Sequence, residues 1–146
     1  ARESDMISKH GSAVWQGSLQ EGTGTVSTET GLVKDETYTF ANRFQGKPGT
    51  NPEELLGAAH ASCFAMAFSM LLGERGLVPD RIEATSTVTL DEAEGGFAIT
   101  KVHLDVEAEV PNADEATFKE AAEAAKAGCP VSKLFATEIT IAATLV

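Results

Sequence analysis

The chain has two cysteines, and their settings along the sequence differ. Cys129 stands directly before Pro130, in a position that can cap a helix. A thiol there meets the positive end of the helix dipole and unpaired backbone N–H groups, which favour the thiolate. Cys63 lies in the middle of a long apolar run, where burial raises the pKa of a thiol. A reactive Cys63 therefore needs a positive charge that is brought to it.

Two residues could supply that charge. His60 precedes Cys63 by one helical turn, but Arg43 is the better candidate because a guanidinium keeps its proton. An arginine that enters an apolar site needs a carboxylate partner, and Glu53 is available. About ten helical residues separate Glu53 from Cys63, a rise of about 15 Å, so a straight helix keeps them apart. Either the helix bends near Gly57 or the partner subunit supplies the carboxylate, and we favour the second alternative.

The helix that must carry the first cysteine is predicted over residues 51–75. Asn51 can cap it, Pro52 suits the first helical position, and Glu54 can reach back to the cap. Gly76 can adopt the left-handed conformation that ends a helix. The sequence therefore marks both ends of this helix.

The middle of this helix carries no formal charge between Leu55 and Leu72. A helix that is apolar on all sides has to be covered on all sides. The run is short and rich in Ala and Gly for a bilayer span. We therefore predict a central, buried helix, and we predict a homodimer because one sheet can cover only one side of it.

Alternation of apolar and polar residues predicts strands in the rest of the chain. Ile99 is out of phase with Val102, which predicts a bulge near Thr100. A loop over residues 42–50 precedes the first long helix, and a short helix follows Cys129. Strands in hairpins rather than in alternation with helices indicate an α+β fold of antiparallel sheets in one domain, residues 1–146. The predicted strands cover residues 12–18, 23–28, 37–40, 82–91, 97–110 and 137–146, and a second long helix covers residues 114–127.

The composition narrows the classes of partner and compartment. The formal net charge of −11 repels nucleic acid and anionic membranes. Two widely spaced cysteines make neither a zinc framework nor a secreted disulfide scaffold. We therefore expect a cytoplasmic protein without a metal or another cofactor. The polar start, Ala1 to Asp5, has no signal-peptide pattern and is interpreted as a frayed or trimmed terminus.

These residues also carry a resemblance to a known family. The segments Asn42 to Phe44, Gly49 to Leu55, Gly57 to Phe64 and Cys129 to Lys133 resemble the OsmC/Ohr family of thiol-dependent peroxidases. A histidine three residues before the cysteine, together with C-P-V-S-K after the second long helix, is similar to the OsmC branch. The match spans nearly the whole chain.

The resemblance implies an intertwined homodimer with two sites at the subunit interface. Cys63 would be the peroxidatic thiolate and Cys129 the resolving thiol, with Arg43 and Glu53 as the activating ion pair. The role of Arg43 follows from the OsmC branch, because the Ohr branch draws its arginine from nearer the N-terminus. The resemblance further implies organic hydroperoxides and hydrogen peroxide as substrates, and an external dithiol, such as a lipoyl-type group, as reductant. His60 is a further residue that could tune Cys63.

Two other functions remain as alternatives. A Cys/His acyl hydrolase would use Cys63 and His60, but a histidine at i−3 on the same helix is poorly placed to be oriented by a third group. A non-catalytic dimer that binds a small molecule or a metal would use Cys63, His60 and Cys129. Three ligands without close spacing make a weak metal signature.

Overall fold

The computed structural model describes residues 6–146, so the polar start, Ala1 to Asp5, lies outside the described residues. The strands are β1 (Gly11–Gln16), β2 (Thr23–Thr28), β3 (Glu36–Tyr38), β4 (Arg81–Ala93), β5 (Gly96–Glu109) and β6 (Ile139–Leu145). The helices are α1 (Phe40–Phe44), α2 (Pro52–Glu74), α3 (Glu115–Gly128) and α4 (Pro130–Leu134). The predicted α+β class is confirmed. Contacts divide the chain into two compact units that meet between Pro52 and Glu53 in sequence, and the single domain stays a prediction.

The first unit is built on a three-stranded antiparallel sheet in the order β1-β2-β3. β1 and β2 pair from Gly11 opposite Thr28 to Gln16 opposite Thr23, so the predicted hairpin is confirmed. Trp15 packs on Tyr38 across the sheet, with ring centroids 5.4 Å apart. The two rings meet over Gly24 of the central strand β2 and so link the outer strands β1 and β3.

The segment after β3 differs from the prediction. The third strand ends at Tyr38 instead of Phe40, and α1 occupies part of the predicted loop. The cause is a local cap: Thr39 is extended and its side chain accepts a hydrogen bond from the Asn42 backbone N–H at 3.3 Å. The Asn42 side-chain amide then donates to the carbonyl oxygens of Lys47 and Pro48, at 3.3 and 3.0 Å. A buried asparagine thus holds the remaining loop against the short helix.

The second unit contains the sheet β4-β5-β6. β4 and β5 form the predicted hairpin, and their register shifts between Thr89 and Leu90, whose partners are Lys101 and Ile99. Thr100 is therefore the extra residue of a bulge, as predicted. β6 pairs with β5 in parallel, so the prediction of purely antiparallel sheets is wrong for this strand. The reason is the connection through α3 and α4, which is long enough to return the chain to the same end of the sheet.

The core of the second unit lies between α2, α3 and the sheet. Phe68 meets Phe118 of α3 edge to face, with ring centroids 5.4 Å apart. The fully or nearly fully buried apolar side chains come from three elements: Phe64, Phe68 and Leu72 on α2, Leu104, Val106 and Ala108 on β5, and Phe118, Ala121, Ala122 and Ala125 on α3. Burial of large side chains of this kind stabilises the fold by about 1.5–3 kcal/mol each.

In the single chain, α2 is buried on one face only, and the predicted cover of its remaining sides by a partner subunit stays a prediction. The buried positions are Gly57, His60, Phe64, Phe68 and Leu72, which follow the helical period. The opposite face is open: Met66 and Met70 are 78% and 59% exposed. The helix ends as predicted, since Gly76 has φ +76 and Leu77 N–H bonds to the Leu72 carbonyl at 2.9 Å.

By length and composition, α2 is also the one helix among the described residues that could cross a membrane. Core helices of soluble proteins meet the same test, so this is weak evidence for a membrane span. The capping roles predicted for Asn51 and Glu54 stay predictions.

Candidate active site

Cys129 connects α3 to α4 and is completely buried, at 0% exposure. It caps the N-terminus of α4, as predicted. Its sulfur accepts a hydrogen bond from the Ser132 backbone N–H at 3.4 Å, and its thiol donates to the Ser132 hydroxyl at 3.1 Å. The position of this sulfur is therefore determined by the first turn of α4.

Cys63 lies in the middle of α2 and is partly buried. It packs against the core cluster that contains Cys129. The Cys129 side chain and the Val131 backbone N–H both lie close enough to act on the ionisation of its thiol. Both cysteines are free thiols. The fold thus brings the two sulfurs together, although they are far apart in the sequence.

The surroundings of Cys63 act on its ionisation in opposite directions. Burial is the largest influence and raises the pKa of the Cys63 thiol. The backbone N–H of Val131 stabilises the thiolate and lowers the pKa, whereas the Cys129 side chain raises it further. The net pKa of Cys63 is raised, so in the single chain the thiol form is favoured. Thiolate chemistry at this sulfur requires an additional positive charge.

His60 does not provide that charge in the contacts that the structure gives it. Its Nδ1 lies 2.8 Å from the Ser86 hydroxyl of β4, and its Nε2 lies 2.8 Å from the Ser132 hydroxyl of α4. Burial lowers the pKa of His60, which favours the neutral ring. Both ring nitrogens are therefore bonded to hydroxyls, and the acyl-hydrolase alternative loses the Cys63–His60 pair on which it depends.

Arg43 lies in the last turn of α1, in the first unit. Its guanidinium carbon is 5.4 Å from the centroid of the Phe44 ring. It also borders an open cavity of about 240 Å³ whose aromatic lining includes Trp15, Tyr38 and Phe40. Arg43 therefore combines a permanent charge with an apolar recess.

Glu53 is in the first turn of α2 and is partly buried. α2 is a single uninterrupted α-helix from Pro52 to Glu74, so the rise of about 15 Å between Glu53 and Cys63 applies. Gly57 is the position of the alternative bend in α2, but its backbone packs closely on β4. A Cβ there would lie 2.8 Å from the Ser86 carbonyl oxygen. The glycine lets α2 approach β4 closely.

Metal binding has no matching arrangement in the part of the chain that the structure describes. Within residues 6–146, no three His, Cys, Asp or Glu side chains come together in a group that could hold a metal ion. The metal-binding alternative therefore lacks a ligand set among these residues.

Comparison with known proteins identifies the family. The family model described as "OsmC-like protein" matches residues 44–144. The chain belongs to this family. It is 52% identical over 135 residues to "Peroxiredoxin OsmC" of Escherichia coli, with 92% of this chain and 94% of the relative covered. It is 28% identical over 111 residues to "Organic hydroperoxide resistance protein OhrB" of Bacillus subtilis, with 75% and 79% covered.

Solved structures show the same fold. The crystal structure of OhrB from Bacillus subtilis superimposes with a TM-score of 0.70, at 28% identity, over 94% of this chain and 98% of that one. An OsmC-like protein of unknown function from Vibrio cholerae gives a TM-score of 0.72 at 15% identity, over 94% and 99%. At that identity the likeness concerns the fold alone. The OsmC-like fold is therefore kept across large changes of sequence.

Sequence reasoning missed two serines of this OsmC-like chain: Ser132, which contacts the Cys129 sulfur, and Ser86, which contacts His60. Ser132 is the third residue of α4, a position from which a short polar side chain can reach back to the cap, so its spacing from Cys129 was an available signal. Ser86 lies within an alternating strand, where a serine is ordinary, and nothing local distinguishes it.

Proposed function

We propose that this chain is a thiol-dependent peroxidase that reduces organic hydroperoxides, and also hydrogen peroxide, with Cys63 as the attacking sulfur. The observation that carries the proposal is the contact between two free thiols in a chain of the OsmC-like family. Relatives named peroxiredoxin and organic hydroperoxide resistance protein support the activity and the class of substrate. Such an enzyme would act as an antioxidant under oxidative stress.

The reaction runs through both sulfurs. The Cys63 thiolate attacks the outer peroxide oxygen, an S–O bond forms, the O–O bond breaks, and the departing alkoxide is protonated to an alcohol. Cys63 becomes a sulfenic acid. Cys129 condenses with it to a disulfide and water, which protects Cys63 from further oxidation. An external dithiol, such as a lipoyl-type group, restores both thiols by exchange and is itself oxidised to a disulfide.

Arg43 and Glu53 complete the proposed site. Because burial raises the pKa of Cys63, a guanidinium beside the thiolate would offset that effect and would also stabilise charge on the departing oxygen. Glu53 would hold the guanidinium in place. The rise of about 15 Å along α2 supports a carboxylate that comes from the partner subunit. The aromatic recess beside Arg43 suits the apolar tail of an organic hydroperoxide.

The homodimer is part of the proposal. The open apolar face of α2, with Met66 and Met70, is the surface that a second copy would cover. A site at this interface would also explain why the single chain leaves Cys63 with a raised pKa. We expect the protein in the cytoplasm, where an external dithiol can keep returning the cysteines to thiols.

Counting thiols tests the activity. One equivalent of an alkyl hydroperoxide should remove two thiols together in the wild-type protein, and a dithiol should restore both. Cys63→Ser should abolish peroxide consumption, whereas Cys129→Ser should complete one turnover and stop. Loss of one thiol only in the wild type, or unchanged turnover in Cys63→Ser, would refute the proposal.

The role of Arg43 is tested by the pH dependence of alkylation. In a Cys129→Ser background, only Cys63 reacts with an alkylating reagent, and its rate follows the thiolate fraction. Removing the guanidinium in Arg43→Ala should raise the pKa of Cys63 and move the alkylation profile to higher pH. Arg81→Ala is the matched control, since Arg81 pairs with Glu83 on the surface of β4. An Arg43→Ala profile that coincides with the control profile would contradict the assigned role.

A further inference from the structure

His60 is a completely buried titratable side chain that the proposed chemistry does not use. Three elements meet at its imidazole: α2 carries it, Ser86 of β4 lies 2.8 Å from Nδ1, and Ser132 of α4 lies 2.8 Å from Nε2. The Phe135 ring packs edge-on against it, with centroids 5.1 Å apart. A nonpolar side chain could fill this volume without requiring two buried hydroxyl partners, so the polar network calls for an explanation.

The direction of the hydrogen bonds follows from Cys129. Its thiol donates to the Ser132 oxygen at 3.1 Å, so the hydroxyl proton of Ser132 is directed at Nε2 of His60. A neutral imidazole that accepts at Nε2 carries its proton on Nδ1 and donates it to Ser86. Burial lowers the pKa of His60, which agrees with this neutral ring. The donors therefore run in one direction, from Cys129 through Ser132 and His60 to Ser86.

We propose, resting on the peroxidase function above, that Ser132 and His60 form a proton relay for Cys129 during disulfide formation. The Ser132 hydroxyl accepts the thiol proton as it passes its own proton to Nε2. The Cys129 sulfur bonds to the Cys63 sulfur, and the S–O bond of the sulfenic acid breaks. Hydroxide leaves with the bonding pair and takes up the proton that the imidazolium returns through Ser132, which leaves His60 neutral again. The net products are a disulfide and one water molecule.

The competing explanation is that the network only ties α2, β4 and α4 together. Both explanations predict some loss of stability when a partner is removed. Only the relay predicts that the variants also slow the deprotonation of Cys129. A base in solution should then restore part of the rate. The experiment therefore has to resolve the disulfide step and follow it with pH.

The test uses a single turnover with one equivalent of alkyl hydroperoxide. Sulfenic acid on Cys63 is trapped with a dimedone-type reagent, and the disulfide is measured separately by quench and mass spectrometry. His60→Gln keeps a side chain that can bond to Ser132 but cannot take up a proton, and Ser132→Ala removes the hydroxyl. Ser27→Ala is the matched control, because the Ser27 hydroxyl bonds to Asp35 in the first unit and takes no part in this network. Thermal unfolding confirms that each variant is folded.

We expect both relay variants to slow the conversion of sulfenic acid to disulfide by about 100-fold at neutral pH. Ser132→Thr, which keeps the hydroxyl, should recover most of the rate.

Three groups meet the imidazole. They are the Ser86 hydroxyl of β4, the Ser132 hydroxyl of α4 and the ring of Phe135, the residue that follows α4. The titratable groups next in the network are the thiols of Cys129 and Cys63. The difference in rate between the relay variants and the wild type should decrease as pH rises, because hydroxide can then remove the thiol proton directly.

The outcomes separate this inference from the peroxidase function. If the wild-type protein forms neither sulfenic acid nor disulfide, the peroxidase function itself fails. If the wild type forms both and the relay variants keep the rate of the Ser27→Ala control, the relay is refuted. A deficit that stays constant from neutral to alkaline pH refutes the relay as well and assigns the network a structural role.

Discussion

The two faces of α2 belong to one helix and yet have opposite surroundings. Phe64, Phe68 and Leu72 on one face are completely buried between the sheet and α3. On the other face Met66 and Met70 remain largely exposed, although the residues are as apolar as those of the core. Burial in the single chain thus stabilises only half of the apolar surface that the sequence provides.

The two faces of α2 therefore have different structural roles. The aromatic face builds the fold, and it uses Gly57 and His60 to bring β4 and α4 close. The open face has the composition of a surface that is covered in an assembly. Cys63 lies at the edge between them, in contact with the core and partly exposed, where the proposed attacking sulfur would meet both Cys129 and an incoming peroxide.

The largest effect is expected from a charge placed on the open face of α2. Met66→Glu should place an uncompensated carboxylate in the proposed interface and weaken dimerisation by about 3–5 kcal/mol, about two to four orders of magnitude in the dissociation constant. Sedimentation equilibrium over a range of concentrations measures this. Met66→Leu keeps the apolar volume and should leave association nearly unchanged. A glutamate variant that associates like the leucine variant would mean that this face is not the interface.

A smaller effect is expected on the buried face from one added methyl group. Gly57→Ala places a Cβ 2.8 Å from the Ser86 carbonyl oxygen, so the backbone of β4 has to move. We expect a loss of about 1–2 kcal/mol in the free energy of unfolding, measured by urea denaturation at fixed protein concentration. The same substitution at Gly73, which has no atom within 4 Å of its added Cβ, should instead raise stability by about 0.5–1 kcal/mol. If both substitutions changed stability in the same direction, the close approach of α2 to β4 would not be what Gly57 provides.

Sequence reasoning succeeded where structure is set by local signals. Gly76 ends α2 with φ +76, and Cys129 caps α4 before Pro130. The extra residue at Thr100 was visible as a break in alternation. Each of these features depends on residues within a few positions of one another, so the pattern alone contains the information.

The remaining features depend on contacts between distant parts of the chain. The parallel pairing of β6 with β5 is determined by where α3 and α4 return the chain, which no alternation pattern encodes. The contact between Cys63 and Cys129 arises from packing of α2 against the start of α4. Ser86 meets His60 only because Gly57 permits the approach of β4. Residue types and spacing thus suggested the candidate residues, whereas the pairing of Cys63 with Cys129 was implied only by the family resemblance.

In the proposed cycle, Cys129 has no exposed surface, so an external thiolate would reach the Cys63–Cys129 disulfide only from the side of Cys63. The first covalent adduct with the reductant then forms on α2, and the sulfur at the start of α4 departs first. Regeneration of the enzyme consequently has a fixed regiochemistry, imposed by the packing of the core and independent of which dithiol arrives.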